Sequence, residues 1–331
     1  MSPGAIGAQF HCGWSGSFYT DAERQAVLDK IKAAGISWVR MDIAWSGIED
    51  TGRGARSAGY LQTIDRCVDF SRQRGLNVLI MFWYTPSWAN GGRGPYAPPT
   101  NVADYENIAK WVAARYKGRV QAWQIWNEPN STTFWTGTTT EYVNVLKAGY
   151  RGFKAGDPGA TVVLGGPSFN DDAWIRDVYS RGAKDSFDAL STHPYQGFGD
   201  AAPESADDGS KWWFTHTPAV RKVMADYGDT DAQIWFTEFG WSAHDNATIP
   251  ADHNWARGVT EAVQADYAVR AIQHARKNWP YVGPMFWYKE RSWPPATSGW
   301  FDLHLEGYGL LRSDRSERPV YGALRKLLTG S

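Results

Sequence analysis

The chain has 331 residues and a formal net charge of −1, with 21% charged and 15% aromatic residues, 19 of the aromatics being tryptophan. Near neutrality leaves no basic face for a nucleic acid or an anionic membrane, and no apolar run approaches the ~18 residues of a spanning helix. The two cysteines, Cys12 and Cys67, are too few for a disulfide scaffold, and no Cys/His spacing suggests zinc. They are expected as unpaired thiols that pack as small apolar groups, Cys12 after the first strand and Cys67 in an outer helix. The opening stretch MSPGAIGAQF lacks the basic and apolar regions of a signal peptide. A targeting segment is therefore expected upstream, with extracellular or cell-envelope placement.

Apolar runs of strand length alternate with helical patterns eight times. The strands read AIGAQF (5–10), WVRMDIAW (38–45), NVLIMFWY (77–84), VQAWQIW (120–126), TVVLGG (161–166), FDALSTH (187–193), QIWFTEF (233–239) and VGPMFWY (282–288). Most are continuously apolar rather than alternating, as strands buried on both faces are. Amphipathic stretches lie between them, such as AERQAVLDKIKAAG (22–35) and VADYENIAKWVAARYKG (102–118), and Gly35, Gly75, Gly118 and Gly228 read as helix C-caps. Eight β/α repeats predict an α/β fold, a single (β/α)8 TIM barrel over 1–331, with a doubly wound open sheet as the alternative.

The connections are unequal. Helix-to-strand links are short, whereas 85–100, 196–216 and 289–318 follow strands three, six and eight as long loops. In a barrel these would crowd the C-terminal rim, where barrel enzymes place their sites. The segment AAPESADDGS (201–210) reads as mobile, while the Trp and Tyr residues of the other loops read as ordered and ligand-facing.

Strand four runs into WNEPN (126–130) and strand seven into TEFGW (237–241). Alternation puts Trp126 and Glu128 on one side of the pleat, with Asn127 at the strand end. Asn-Glu-Pro alone could be a turn in which Glu128 caps a helix. Glu238 at the end of strand seven changes that, because strands four and seven face each other across an eight-strand ring. Two carboxylates flanking a bond are what acid/base glycoside cleavage needs, and their environments must separate their pKa values. Two buried structural carboxylates would be costly unless paired with cations.

These motifs resemble glycoside hydrolase clan A, the retaining (β/α)8 barrels, and with YTPSWA (84–89) are most similar to family 39 and to the family 5 cellulase group. The resemblance implies Glu128 as acid/base, Glu238 as nucleophile and Asn127 on the sugar 2-hydroxyl. It also implies Arg40 near the nucleophile, the alternative being an ion pair with Asp42 or a loop acid. THPY (192–195) implies Tyr195 orienting Glu238, and His193 either touching sugar, supporting a neighbour, or filling core. Trp287 would be the platform beneath the sugar ring, or core. Weaker candidates for sugar contacts are His11, Trp45, Trp83, Tyr84, Trp88 and Trp126, and Glu49 and Glu290 are rim acids that could bind hydroxyls or be solvated.

No nucleophile elbow, HExxH, phosphate loop or dinucleotide fingerprint occurs, so neither cofactor nor metal is expected. The implied function is a retaining β-glycosidase acting on a β-linked poly- or oligosaccharide, endo-acting because aromatics sit on several rim loops. The alternatives are an exo-acting β-xylosidase or β-glucosidase, a transglycosylase, and a carbohydrate-binding barrel without turnover. The expected partner is a carbohydrate, with no nucleic acid and no membrane, and the oligomeric state is open, a monomer being compatible.

Overall fold

A computed structural model describes residues 4–293 and 299–330. The expected loop 289–318 is thus described except at 294–298, and 1–3 and 331 also lie outside the described residues. Eight parallel strands close into a barrel in sequence order, with β8 hydrogen-bonded to β1. They are β1 (Ile6–Gln9), β2 (Trp38–Ala44), β3 (Asn77–Trp83), β4 (Ala122–Ile125), β5 (Thr161–Leu164), β6 (Ala189–Thr192), β7 (Gln233–Phe239) and β8 (Val282–Trp287). The outer helices are α1 (Asp21–Ala33), α2 (Ala58–Gln73), α3 (Val102–Arg115), α4 (Thr139–Gly156), α5 (Asp172–Ser180), α6 (Thr217–Asp226), α7 (Glu261–Asn278) and α8 (Pro319–Thr329).

Local sequence explains where the helices begin and end. Thr20, Asn101, Asp171 and Thr260 each accept a backbone N–H of the first turn, and Thr138 forms a reciprocal capping box with Glu141. The four expected C-terminal glycines all take positive φ, between 67° and 77°. Helix α4 lies unusually close to α3: a Cβ on Gly152 or Gly156 would overlap the carbonyl of Glu106 or Lys110.

The barrel interior is layered by the two-residue period of its strands. Trp38, Leu79, Ala122, Val163, Ala189, Trp235 and Phe286, one from each of seven strands, form a closed apolar plug. On the eighth, the Phe286 ring fills the space left by Gly7. One step towards the C-terminal rim stand Gln9, Arg40, Met81, Gln124, Ser191 and Thr237, a mostly polar tier that floors the mouth. A separate apolar core joins the outer strand faces to the helices.

Two expectations are corrected. Cys12 and Cys67 are not free thiols but a disulfide, with Cα atoms 5.9 Å apart. Leu61, Ile64, Cys67 and Val68 form the buried stripe of α2, so Cys67 faces inward, where it meets Cys12. A separation of 55 residues hid a contact that the side-by-side packing of the first two β/α repeats creates. The segment 201–210, expected to be mobile, is pinned: Ala202 accepts from Gln196 Nε2 (2.6 Å), Ala201 accepts from Trp241 Nε1 (2.8 Å), and Asp207 meets His216 (2.9 Å).

Candidate active site

Glu128 and Glu238 both enter the mouth through a break in strand alternation. In β4, Ala122 and Gln124 face inward, so simple alternation would turn Trp126 inward too. Instead Trp126 takes a left-handed φ of 74°, buries its indole in the outer core and donates Nε1–H to Phe134 O (2.7 Å). The kink delivers Asn127 and Glu128, itself at φ 44°, to the mouth. Such conformations cost about 1–3 kcal/mol in a non-glycine residue and persist where the surroundings enforce them. In β7 the partner of Phe236 is Met285 and that of Phe239 is Trp287, so β7 carries one extra residue there. This bulge lets both Thr237 and Glu238 face the interior, the usual way a strand re-aims a side chain.

The two carboxylates converge. An oxygen of Glu128, one of Glu238 and a ring nitrogen of His193 all lie within 4.8 Å of one another. Both carboxylates remain reachable, with side chains 14% and 13% exposed. Glu238 is held at each oxygen separately: Arg40 donates to Oε1 (2.7 Å) and the Tyr195 hydroxyl to Oε2 (3.0 Å). Burial alone would raise the Glu238 carboxyl, but His193, the Arg40 charge and these hydrogen bonds outweigh it and hold the group below the usual range. Burial and the Glu238 charge push the Tyr195 phenol far up, so it stays a donor. His193 Nδ1 lies 2.8 Å from Glu128 Oε1, and its Nε2 lies 3.0 Å from the Thr237 hydroxyl.

Arg40 organises this floor. Beyond Glu238 it donates to Gln9 Oε1 (2.8 Å), Gln124 Oε1 (2.8 Å), Asn127 Oδ1 (2.8 Å) and the Met81 sulfur (2.9 Å). Glu128, His193 and Glu238 have spacing that could hold a cation. A guanidinium 2.7 Å from Glu238 already supplies the positive charge there and opposes a metal ion.

Above the floor opens a cavity of about 750 Å³. Its wall includes the expected Arg40, Asn127, Glu128, Tyr195, Glu238, His11, Trp83 and Tyr84. His11 is fixed by Glu290, which accepts from its Nδ1 (2.9 Å) and its backbone N–H (3.0 Å). His193 lies behind the wall, so it supports Glu128 rather than meeting the cavity.

Other expectations fail here. Trp287 is no platform: Phe286 and the cavity-lining Tyr288 take the inward positions of β8, so Trp287 faces outward and packs on Phe239. Trp88 is not in the wall; it donates to Glu49 O (2.8 Å) and packs edge-to-face on Trp45. Trp45 and Trp126 are core. Glu49 accepts from Trp45 Nε1, Gly54 N and Arg56, and Glu290 binds His11, so neither rim acid is solvated. Sequence reasoning missed Gln9, Asp42, Phe169, Trp212 and Tyr288 in the wall. The two-residue period from Arg40 and Phe286 points to Asp42 and Tyr288, whereas nothing local marks Phe169 or Trp212.

Chemically, one carboxylate kept ionised beside a second within about 5 Å suits attack by the first and proton transfer by the second. Retaining glycosidases space their pair at about 5–5.5 Å, inverting ones at about 6.5–9.5 Å to admit a water.

Comparison with known proteins agrees with this geometry. Residues 5–287 match the family model described as Cellulase (glycosyl hydrolase family 5). The chain is 27% identical over 151 residues to a β-xylosidase of Geobacillus stearothermophilus, covering 40% of this chain and 30% of that protein. It is 32% identical over 104 residues to a β-glucosidase of Agrobacterium sp. (strain ATCC 21400), covering 31% and 22%. The chain thus matches less than a third of the length of either curated relative. A family 39 glycoside hydrolase from the gut symbiont Bacteroides cellulosilyticus WH2 shares the fold, with TM-score 0.76 and 23% identity over 99% of this chain and 64% of that one.

Proposed function

The chain belongs to the cellulase family, glycosyl hydrolase family 5, and from that premise we propose that it is a retaining β-glycosidase working by double displacement. The observation that carries this is the Glu128–Glu238 approach within 4.8 Å, with Arg40 on Glu238 alone. Glu128 protonates the leaving oxygen while Glu238 attacks the anomeric carbon and forms a glycosyl ester. Water that gives its proton to Glu128 then releases the sugar with its configuration retained. Arg40 and Tyr195 keep the nucleophile ionised and aimed. Asn127, its Oδ1 engaged by Arg40, has its amide N–H left to donate to the 2-hydroxyl.

The substrate in this reading is a β-linked poly- or oligosaccharide, cut internally. Aromatic residues in the cavity wall on several rim loops, including Trp14, Phe134, Trp212 and Trp255, support more than one sugar position. Exo-action is the second reading. It draws on the polar cluster of Gln9, His11 and Asp42 at one side of the cavity, and on the names of the β-xylosidase and β-glucosidase relatives. An oxidising compartment outside the cytoplasm is part of the proposal, supported by the Cys12–Cys67 disulfide.

The test is a time course of product sizes on β-glucan, xylan, mannan and aryl β-glycosides, with Glu238→Gln and Glu128→Gln beside the wild type. Cleavage of one substrate that Glu238→Gln lowers by about 10⁴-fold or more is expected, with oligomers early for endo-action and monomer alone for exo-action. Binding without turnover on the whole panel would sink the enzymatic reading in favour of a carbohydrate-binding barrel.

A further inference from the structure

The loops after β1 and β8 meet at one side of the cavity, and they meet through rings. His11 and Trp14 come from the first loop and Trp293 from the second, and all three line the cavity. Trp14 and Trp293 lie on each other with centroids 4.8 Å apart and planes 35° from parallel. His11 packs on both, at 4.6 Å and 5.3 Å. At the rim end Trp14 is 38% exposed and donates Nε1–H to Asp42 Oδ2 (3.0 Å). Trp293 has no such tether: among the described residues nothing accepts from its buried Nε1. Its ring is held by packing and by what lies beneath it.

What lies beneath is a cation. The Nζ of the buried Lys289 stands 3.1 Å from the centre of the Trp293 ring. An ammonium has three N–H groups to satisfy. Among the described residues Nζ finds one acceptor, Glu306 Oε1 of the short helix Trp300–Glu306, and at 3.5 Å that bond is long. The face of the indole is the closest compensation the charge has, and such an attraction is strongest when both partners are out of water. The charged groups that face Lys289 are Glu306, the adjacent Glu290, which also holds His11, and Arg318 at the start of α8. The two carboxylates favour the ammonium and Arg318 opposes it, but burial outweighs them and pushes the group down to about 8. Once the proton leaves, an amine faces the ring and the attraction is gone.

We propose that Lys289 is a positioning residue for substrate binding: its ammonium holds Trp293 against Trp14, and the wall that the β1 and β8 loops present to the sugar is fixed while that charge is present. This rests on the reading of the cavity as the substrate site of a double-displacing glycosidase. Lys289 reaches neither the substrate nor the two carboxylates; it acts through the two indoles. Rings fixed before the sugar arrives spare the complex the cost of ordering them. The charge therefore belongs to binding rather than to bond cleavage. Glu238 keeps its own supports, Arg40 and Tyr195, on the floor below.

The experiment measures kcat and KM for wild type, Lys289→Met and Lys289→Arg on 4-nitrophenyl β-glucoside, β-xyloside and β-mannoside, with thermal melting as the check on folding. At about pH 7, Lys289→Met is expected to raise KM about 10-fold with kcat little changed. Towards about pH 9.5 the ratio of the two KM values is expected to fall close to one, because the wild type has then lost the same charge. Titration of Glu128 is common to both proteins and cancels in that ratio. Lys289→Arg, which stays charged, is expected to keep the lower KM across the range. Equal KM values at about pH 7, or a raised ratio that does not change with pH, overturn the proposal. A second readout needs no turnover. The near-ultraviolet circular dichroism that Trp293→Phe removes reports the stack; it is expected to fade in the wild type above about pH 8 and to be missing from Lys289→Met throughout. A signal constant with pH and intact in Lys289→Met overturns the proposal even where no donor is cleaved. Absence of 4-nitrophenol from every donor removes the double-displacement reading instead.

Discussion

Arg40 and Tyr195 each hold one oxygen of Glu238, and the two contacts do different work. The guanidinium supplies charge, while the phenol supplies direction and one hydrogen bond. Removing the bond in Tyr195→Phe takes away a contribution that lowers the carboxyl. A carboxyl held low stays ionised to lower pH, so the acid limb of kcat/KM is expected to move upward in the variant. At neutral pH a fall of about 10-fold is expected, the worth of one hydrogen bond to a charged group, and pH–rate profiles check both. A second buried group lies outside this chemistry. Lys289 is fully buried, its Nζ 3.1 Å from the Trp293 ring centre and 3.5 Å from Glu306 Oε1. Burial pushes it down to about 8. The unfolded chain keeps that proton to about pH 10.4, so between these values the unfolded state binds more protons and stability rises with pH. Urea titrations of wild type and Lys289→Met are therefore expected to show the wild type gaining on the variant from about pH 8 to 10, and parallel behaviour would refute this.

At the scale of elements, strand identity and order were legible, because buried parallel strands leave continuous apolar runs bounded by helix caps. All eight strands lie within two residues of their expected bounds. Direction within a strand was less legible. Alternation gives the right inward set from Trp38 to Arg40 and from Phe286 onward, but the same rule assigns Trp126 wrongly; Trp287 was expected in the site from the resemblance alone, against the alternation that Phe286 sets. A left-handed residue in β4 and an extra residue in β7 change the face without changing the apolar character that the pattern records. Both lie where the carboxylates enter, so the pattern fails where function has bent the strand. Helix packing carries its own expectation. Gly152→Ala would push a methyl onto the Glu106 carbonyl between α3 and α4, and a loss of about 1–3 kcal/mol is expected by denaturant unfolding. Gly322→Ala in α8, where a Cβ would meet open space, is the contrast and should stabilise slightly.

For the whole molecule, the packing of neighbouring repeats and the closing of the ring decide what the sequence could not. The disulfide joins a loop after β1 to the inward face of α2, and loop closure over 55 residues corresponds to about 4 kcal/mol in the chain-entropy treatment. The double variant Cys12→Ala/Cys67→Ala is expected to lose stability of that order and to melt several degrees lower, whereas melting unaffected by the substitution would mean the bridge adds nothing. Closure also explains Arg40. Standing on β2, it bonds to residues of β1, β3 and β7, to Gln124 of β4 and to Asn127 just beyond it, so the nucleophile is surveyed from five strands at once. Every one of those contacts lies below the loops. The reaction centre and the surfaces that choose a substrate are therefore separable inheritances: loops can be lengthened, shortened or exchanged while the benchmark for Glu238 stays put. A lineage built on such a floor can change its diet without relearning its chemistry.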